Sequence, residues 1–551
     1  MTADASGPRS GAAQGSPGVS VSGRMSTSAT VHALRRARRM RRLGDLEWFE
    51  IAYRVYLTAL VGGLGVAWLS DLVADDPVSP RGLTDVTGNG PALLGLFAVA
   101  AVALGLRSGS DGGPVSLEAG DVHHLLMAPV PRRTVLLRPL VQRGRSLAFS
   151  GAVIGLIAGQ LAARRLPGST PAWAASGAAA GALIAIAFVA AATITHATGL
   201  PRATATAAAA ALIAAQVAAI VWNGYGPGNG MGSLAMWGMR TNVVDLISVA
   251  LVLAAAGVAV VLVDRLRVEP LTRRADLVSQ LRFAVTMQDL RTVVLLRRQL
   301  RGERPRRTPW LRLPRSTRLS ATRAVWQRDL RGLARYPASR LVRMATLAVA
   351  ASLCVAAAIS GTTPALVGVG MSLYLLGLDA IEPMSQEIDH PDHSDGVPRS
   401  RGWLLLRHLG APAVATVPFA LLGAAVLTVI QPDHAVAALA LCIPLTWAGV
   451  CGSVVSVVRD APDPLSPSAT STAVPPEFAG FTSSVNFLIP LVVSMISTLT
   501  VLGMRADPTA GSAVRFTILD ALVIAATGTW VFKRDQWRKA WRELLDAGRK
   551  T

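Results

Sequence analysis

Two stretches of this sequence share one layout, and their positions decide the fold. The first runs from Glu118 to Leu140 and reads EAGDVHHLLMAPVPRRTVLLRPL, and the second runs from Glu387 to Leu409 and reads EIDHPDHSDGVPRSRGWLLLRHL. Each passes from acidic residues and histidines through a Val-Pro-Arg turn to a run of leucines that ends in Arg-X-Leu. This internal similarity predicts that the chain contains two copies of one structural unit.

The chain around these stretches is apolar and strongly basic. Of its 551 residues, 51% are hydrophobic and only 16% are charged, whereas about a quarter are charged in soluble proteins. Lys and Arg number 54 against 33 acidic residues, which gives a net charge of +21. Such an excess is typical of a soluble nucleic-acid-binding protein or of a membrane protein with arginine in its cytoplasmic loops.

Apolar segments long enough to cross a bilayer, which takes about 20 residues, recur along the whole chain. The predicted fold class is therefore all-α: a polytopic membrane protein with about 12 transmembrane helices. The predicted spans are 55–73, 91–106, 146–163, 172–193, 203–222, 243–264, 342–360, 364–381, 409–430, 435–457, 485–504 and 514–532.

Arginine is concentrated in alternate gaps between these spans. The gaps 107–145 and 265–341 are rich in Arg, whereas the gap 74–90 is mainly acidic. Because loops rich in Lys and Arg stay in the cytoplasm, these two gaps are predicted to lie inside, together with both termini. The pattern predicts a multi-pass protein of the bacterial inner membrane, with anionic lipid at its inner face and no nucleic-acid partner.

The predicted spans fall into two pseudo-symmetric six-helix halves. Residues 1–30 are rich in Ser, Gly and Ala and are predicted to be a disordered tail. The first half, 31–310, and the second half, 311–551, each begin with a basic, aromatic surface helix followed by six spans. In both halves the stretch quoted above is a long cytoplasmic loop between the second and third spans.

This plan resembles the permease subunits of ABC-type exporters of the type-2 class, in their fused twelve-span bacterial form. The resemblance rests on the segment DVHHLLMAPVPRRTVLLRPL and on the arrangement of interfacial helix, six spans and cytoplasmic loop in each half. It implies that a coupling helix in each loop docks on a separate ATP-binding cassette ATPase and that the chain exports or flips a substrate. The coupling positions that it implies are Asp121, His123, His124, Pro131, Arg132, Arg133, Arg138, Asp389, His390, Pro398, Arg399, Arg401 and Arg407.

The chain itself has no G-x-x-x-x-G-K-[ST] phosphate-binding loop, and Lys occurs only at positions 533, 539 and 550. We therefore expect ATP to be bound by the partner subunit, with no cofactor and no catalytic residue in this chain.

The acidic part of the second loop has two interpretations. Asp389, His390, Asp392, His393 and Asp395 are close together in the sequence, and imidazole with carboxylate can bind a transition metal. A solvated loop that packs against a partner explains the same residues, and this interpretation predicts no metal site.

Two further features bear on function. Asp75 and Asp76 follow the first span, where a membrane enzyme acting on lipid-linked substrates would place an acidic pair; a pair of charges at the membrane edge is the simpler interpretation. Asp520 lies within the last span and is a candidate intramembrane polar site, either for substrate or for pairing with an Arg of a neighbouring span. An ion-driven secondary transporter would need further acids of this kind.

Glycines recur at four-residue spacing in the third and fourth spans. Small residues at this spacing let two helix backbones come into contact. We therefore predict tight pairing of span three with span four through Gly151, Gly155, Gly159, Gly177 and Gly181.

Overall fold

The computed structural model describes most of the chain as α-helices that are long and apolar. The described residues are 77–110, 112–113, 131–269, 271, 306–312, 320–389, 398–459 and 488–549, with single positions at 56, 60, 63–65, 67, 70–71 and 73. Within these ranges the backbone forms helices and one isolated antiparallel bridge between Val73 and Thr362, with no strand. The predicted all-α class is confirmed for this part of the chain.

The first group of helices follows the predicted spans two to six. Helix α2 begins directly after Pro131, and α3 is followed by Gly199, which adopts a left-handed conformation at φ 67°. A short helix, α5, fills the predicted loop before the sixth span. The helices are α1 (Pro80–Ser110), α2 (Arg132–Ala162), α3 (Thr170–Thr198), α4 (Arg202–Val221), α5 (Asn229–Ala235) and α6 (Asp245–Val261).

The second group follows the predicted surface helix and spans seven to twelve. Ser400 caps α11, since its hydroxyl accepts a hydrogen bond from the Trp403 backbone N–H at 3.3 Å. The helices are α7 (Ala321–Leu333), α8 (Ala338–Ile359), α9 (Ala365–Ala380), α10 (Glu382–Asp389), α11 (Arg401–His408), α12 (Gly410–Ile430), α13 (Ala435–Arg459), α14 (Leu488–Ala506) and α15 (Ala510–Arg549).

Ten helical segments in the described part of the chain are long and apolar enough to cross a membrane, and the bent pair α9–α10 would make eleven. The pair bends by 62° at Ile381, so α10 leaves the direction of α9 at the start of the second long loop. The Ala-rich segment of α4 is one of the ten. These features are those of a multi-pass membrane protein. The first predicted span, 55–73, lies mostly outside the described residues.

Helix pairing is alike in the two groups. In the first, α3 packs against α1, α2 and α6, and α1 packs against α4. In the second, α13 packs against α9, α12 and α15, and Gly370 of α9 contacts Met495 of α14. In both groups, therefore, the fourth predicted span contacts the second, third and sixth, and the second contacts the fifth.

The segments between the helices form two sets, and the segments of each set contact one another. Segments predicted to be outside contact one another: Asp71 forms an ion pair with Arg164 at 2.8 Å, Arg165 donates to the Ser360 carbonyl, and Gln431 donates to the Ser360 hydroxyl at 3.1 Å. At the other end, His196 lies 3.1 Å from the carbonyl oxygen of Gly109. This sorting is what helices that cross the membrane in alternating directions require.

Candidate functional site

A buried polar network lies at the end of the second helix group where α7, α10 and α11 meet. His408, the last residue of α11, is fully buried, and its Nδ1 lies 2.6 Å from Oδ2 of Asp329 in α7. Its Nε2 lies 4.0 Å from Oε2 of Glu387 in α10. Asp329 and Glu387 are themselves buried. The imidazole thus joins three separate helices.

Arg328 closes this network. Its Nη2 donates to Oε2 of Glu387 at 2.5 Å and lies 3.4 Å from Nε2 of His408. Because a guanidinium only donates, these contacts fit the tautomer of His408 that carries hydrogen on Nδ1 and donates it to Asp329. Burial acts to lower the pKa of Arg328, but the hydrogen bond and charge of Glu387, together with Asp329, outweigh burial and raise that pKa.

A second set of ionic contacts lies next to the first, between the start of α8 and the end of α9. Arg343 binds both carboxylate oxygens of Asp379, at 2.6 and 2.5 Å. The Tyr336 hydroxyl donates to the Asp379 backbone carbonyl at 2.8 Å, and Arg340 lies over the Tyr336 ring. Burial raises the pKa of Tyr336, although the charge of Arg340 acts in the opposite direction. Arg340 also lies 3.8 Å from Glu382 of α10.

Helix α11 is held on its other sides by backbone contacts. Gly402 packs against the Phe532 carbonyl of α15, where a larger residue would clash. Gly410, which follows α11, lies against the ring of Trp326 from α7. Helix α11 therefore contacts α7, α10 and α15 at once.

The predicted coupling residues of the second half lie on this helix. Pro398 and Arg399 are exposed immediately before α11, and Arg401 and Arg407 are half-buried on it. Arg399 and Arg407 lie 5.8 and 5.3 Å from the ring centre of Trp403. Leu404 and Leu405 between them are buried, and Arg399 is the exposed one of the three arginines.

The predicted coupling residues of the first half occupy the start of α2. Pro131 precedes the helix, and the side chains of Arg132, Arg133 and Arg138 are exposed on it. The residues between them face a core, where Val135, Leu136 and Leu140 pack with Val263, Leu266 and Leu271. Both segments thus combine buried leucines with arginines, but the arginines are exposed on α2 and partly buried on α11.

One expectation about these segments differs from the structure. The sequence predicts a short separate helix in each loop, but Arg132–Leu140 forms the first turns of the continuous helix α2. In the second half α11 ends at His408 and α12 begins at Gly410, but the Leu409 backbone between them is itself helical (φ −72°, ψ −24°), and Arg401–Ile430 forms one 30-residue apolar segment. The first segment has no Gly at the corresponding place, and its Pro139 is accommodated inside the helix.

Several predicted site residues lie outside the described part of the chain. These are Asp121, His123 and His124 in the first loop and His390, Asp392, His393 and Asp395 in the second, as well as Asp75 and Asp76. Asp389 is the last residue of α10, and its side chain is not described. The coupling, metal and acid-pair hypotheses that concern these residues stay predictions.

The five predicted packing glycines lie in the contact between α2 and α3. Gly151 faces the Gly181 carbonyl, Gly155 faces the Gly177 carbonyl, and Gly159 faces the Trp173 carbonyl. At each of these sites a methyl group would overlap the facing backbone.

Asp520 lies in α15 and is fully buried, with no hydrogen-bonding partner for either carboxylate oxygen among the described residues. The predicted pairing with an Arg of a neighbouring span is therefore not found in the part of the chain that the structure describes.

Asp329, which is central to the network, is not among the residues predicted from the sequence. A signal was present, because Asp329 stands three residues after Trp326 and four before Leu333, on the apolar face of a basic helix. An acid at such a position is expected to have a buried partner. The identity of that partner, 79 residues further along the chain, could not be read from the spacing.

Comparison with known proteins identifies a family. The family model described as a family of unknown function, DUF6297, matches residues 84–385, more than half of the chain, and the chain belongs to this family. Neither the curated proteins nor the solved structures contain a match to the chain.

Proposed function

We propose that this chain is the membrane-spanning permease of an ATP-driven exporter, powered by a separate ATP-binding cassette ATPase that docks on the two arginine-bearing segments. The proposal places the protein in a bacterial inner membrane with both termini in the cytoplasm. It leaves the substrate open, since the walls of the helix groups are mainly Ala, Val, Leu and Gly.

The observation that carries the proposal is the way α11 is anchored. A segment that receives force from a partner must be rigidly joined to the helices that it moves. The Asp329–His408 hydrogen bond joins α11 to the surface helix α7, and the Arg328–Glu387 ion pair joins α7 to α10. Helix α10 follows α9 at a bend of 62°, and the two together are long and apolar enough to form one bent span. The contacts of α11 therefore extend through α10 to α9.

The matching pairing of helices in the two groups supports a repeated architecture. Two copies of one unit would carry two equivalent docking segments, one at the start of α2 and one at α11. Both segments bury leucine and carry an exposed arginine, Arg132 in the first and Arg399 in the second. A symmetric ATPase dimer would bind such a pair of equivalent segments on one face of the membrane.

Exposed arginines suit a partner with acidic groups, because the guanidinium makes strong paired hydrogen bonds with carboxylates. Charge reversal at these positions should weaken association without disturbing the buried network below. The test is to purify the protein from membranes of its own host and to identify accompanying polypeptides that contain a phosphate-binding loop.

The informative variants are Arg132→Glu and Arg399→Glu, and we expect each to reduce the amount of bound ATPase about tenfold, a loss of about 1.4 kcal/mol in binding. Arg240→Glu is the matched control, since Arg240 is exposed in a segment predicted to face the opposite side of the membrane. Equal recovery of the ATPase with all three variants would count against docking at these segments.

A further inference from the structure

Asp520 is a fully buried carboxyl group that the proposed ATPase coupling does not use. Both of its oxygens lack a hydrogen-bonding partner among the described residues. It lies in α15 at the surface that packs against α13, within electrostatic reach of the Cys451 thiol. No cation of the described residues forms an ion pair with it.

Asp520 lies inside the predicted span 514–532 and inside the long apolar segment Ala510–Trp537. It stands ten residues after Ala510, the first residue of α15, and a helix rises about 1.5 Å per residue. The carboxyl group therefore lies about 15 Å along α15 from its first residue and about 9 Å from the start of the predicted span, inside a hydrocarbon layer that is roughly 30 Å thick. An isolated negative charge at that depth is costly, and such groups are neutralised by a proton or by a positive partner.

We propose that Asp520 is the binding site for a singly charged cation, which it takes up in exchange for a proton. As the cation arrives, the O–H bond of the carboxylic acid breaks and the proton leaves, while the resulting carboxylate pairs with the cation. The site carries no net charge before or after the exchange, so neither state leaves an isolated ion in the apolar interior.

Charge balance favours a single positive charge over a divalent metal. One carboxylate neutralises one charge, and the described residues hold no group of three or more His, Cys, Asp or Glu side chains that would bind a metal ion. Two sources of the cation share this chemistry: a small inorganic ion, or a positively charged group on the transported molecule. The inference goes beyond the proposed coupling to an ATPase and does not depend on it.

The test uses a hydrophobic carbodiimide on the purified full-length protein in detergent. The carbodiimide adds the O–H of a protonated carboxyl across one of its C=N bonds, and the adduct rearranges to a stable N-acylurea with no atoms lost. We expect peptide mass spectrometry to find the label on Asp520 of the wild-type protein. Labelling at Asp520 should fall at least tenfold as NaCl or tetraphenylphosphonium chloride is added.

Control variants locate the label. Asp520→Asn should remove it, whereas Asp507→Asn, at a half-buried acid just before α15, should leave it unchanged. The competition measurement needs only the wild-type protein, so it stands even if Asp520→Asn does not fold.

Each outcome of the competition has a definite meaning. Protection by Na⁺ identifies an inorganic ion as the ligand, and protection by tetraphenylphosphonium alone identifies a cationic group of the transported molecule. Labelling that neither cation reduces would overturn the proposal and leave Asp520 as a permanently protonated structural group. Absence of label from the folded wild-type protein would overturn it as well.

Discussion

The close contact between α2 and α3 predicts that a single added methyl group at an interface glycine disturbs helix packing. An alanine Cβ at Gly155 would lie 2.7 Å from the carbonyl carbon of Gly177, and nearer still to its oxygen. Ordinary van der Waals contact begins at 3.4 Å, so the helices would have to separate by at least about 0.7 Å at this point. Neighbouring contacts at Gly151 and Gly159 would open with it.

The free-energy cost follows from these distances. Overpacking of a tight interface costs about 1–3 kcal/mol, whereas replacing Gly by Ala within a helix stabilises it by about 0.5–1 kcal/mol. Gly155→Ala should therefore destabilise the protein by about 1–2 kcal/mol. Gly144, in the same helix, has no atom within 4 Å of an added Cβ, so Gly144→Ala should be neutral or stabilising.

Thermal unfolding in mild detergent, followed by tryptophan fluorescence, measures the difference. Trp173, which is buried at the same interface opposite Gly159, is one of the 12 tryptophans that contribute to this signal. We expect the midpoint of Gly155→Ala to lie below that of the wild-type protein and the midpoint of Gly144→Ala to lie at or above it. Identical midpoints for the two variants would refute the inference that the glycines are required for close helix contact.

Three further substitutions test the packing and charges around α11 and α8. Gly402→Val should lower the unfolding midpoint and loosen α11, because its side chain would overlap the Phe532 carbonyl; increased protease cleavage near residue 400 checks this. Asp379→Asn should cost about 1.5–3 kcal/mol, since Arg343 loses its charged bidentate partner, and unchanged stability would contradict the ionic role. For Tyr336, burial raises the folded-state pKa above the unfolded value of about 10, so its contribution to stability is present below pH 10 and is lost as pH rises further. Between about pH 10 and 12, the free energy of unfolding should therefore fall less for Tyr336→Phe than for the wild-type protein. An identical fall would exclude Tyr336 as a cause of the loss of stability at high pH.

The membrane helices were predictable because an apolar segment of sufficient length has few alternatives to crossing a bilayer. The start of α1 was not, since residues 80–90 are polar and the sequence analysis placed them in a loop. They are helical because long-range contacts support them: Gly90 packs on Met236, and Gly232 packs on the Pro91 carbonyl. Such long-range contacts cannot be predicted from the local composition of the sequence.

The candidate network shows the same limit. The sequence directs attention to the segment that contains Glu387 and His408, because acids and histidines are rare in an apolar chain. The partner Asp329 lies on another helix, and its role depends on how α7 crosses α11. The glycine contact between α2 and α3, in contrast, follows from a spacing of four residues within each helix and from the short connection between the helices.

The account requires both arginine-bearing segments to face the compartment that contains ATP, and their sidedness is the most direct test of it. Single cysteines at positions 132, 399 and 240, each in a background without the three native cysteines, would be labelled with a membrane-impermeant maleimide in intact cells and in inverted vesicles. The account predicts labelling of positions 132 and 399 only in inverted vesicles, and of position 240 only in intact cells. Labelling of 132 and 399 on opposite sides of the membrane would contradict it.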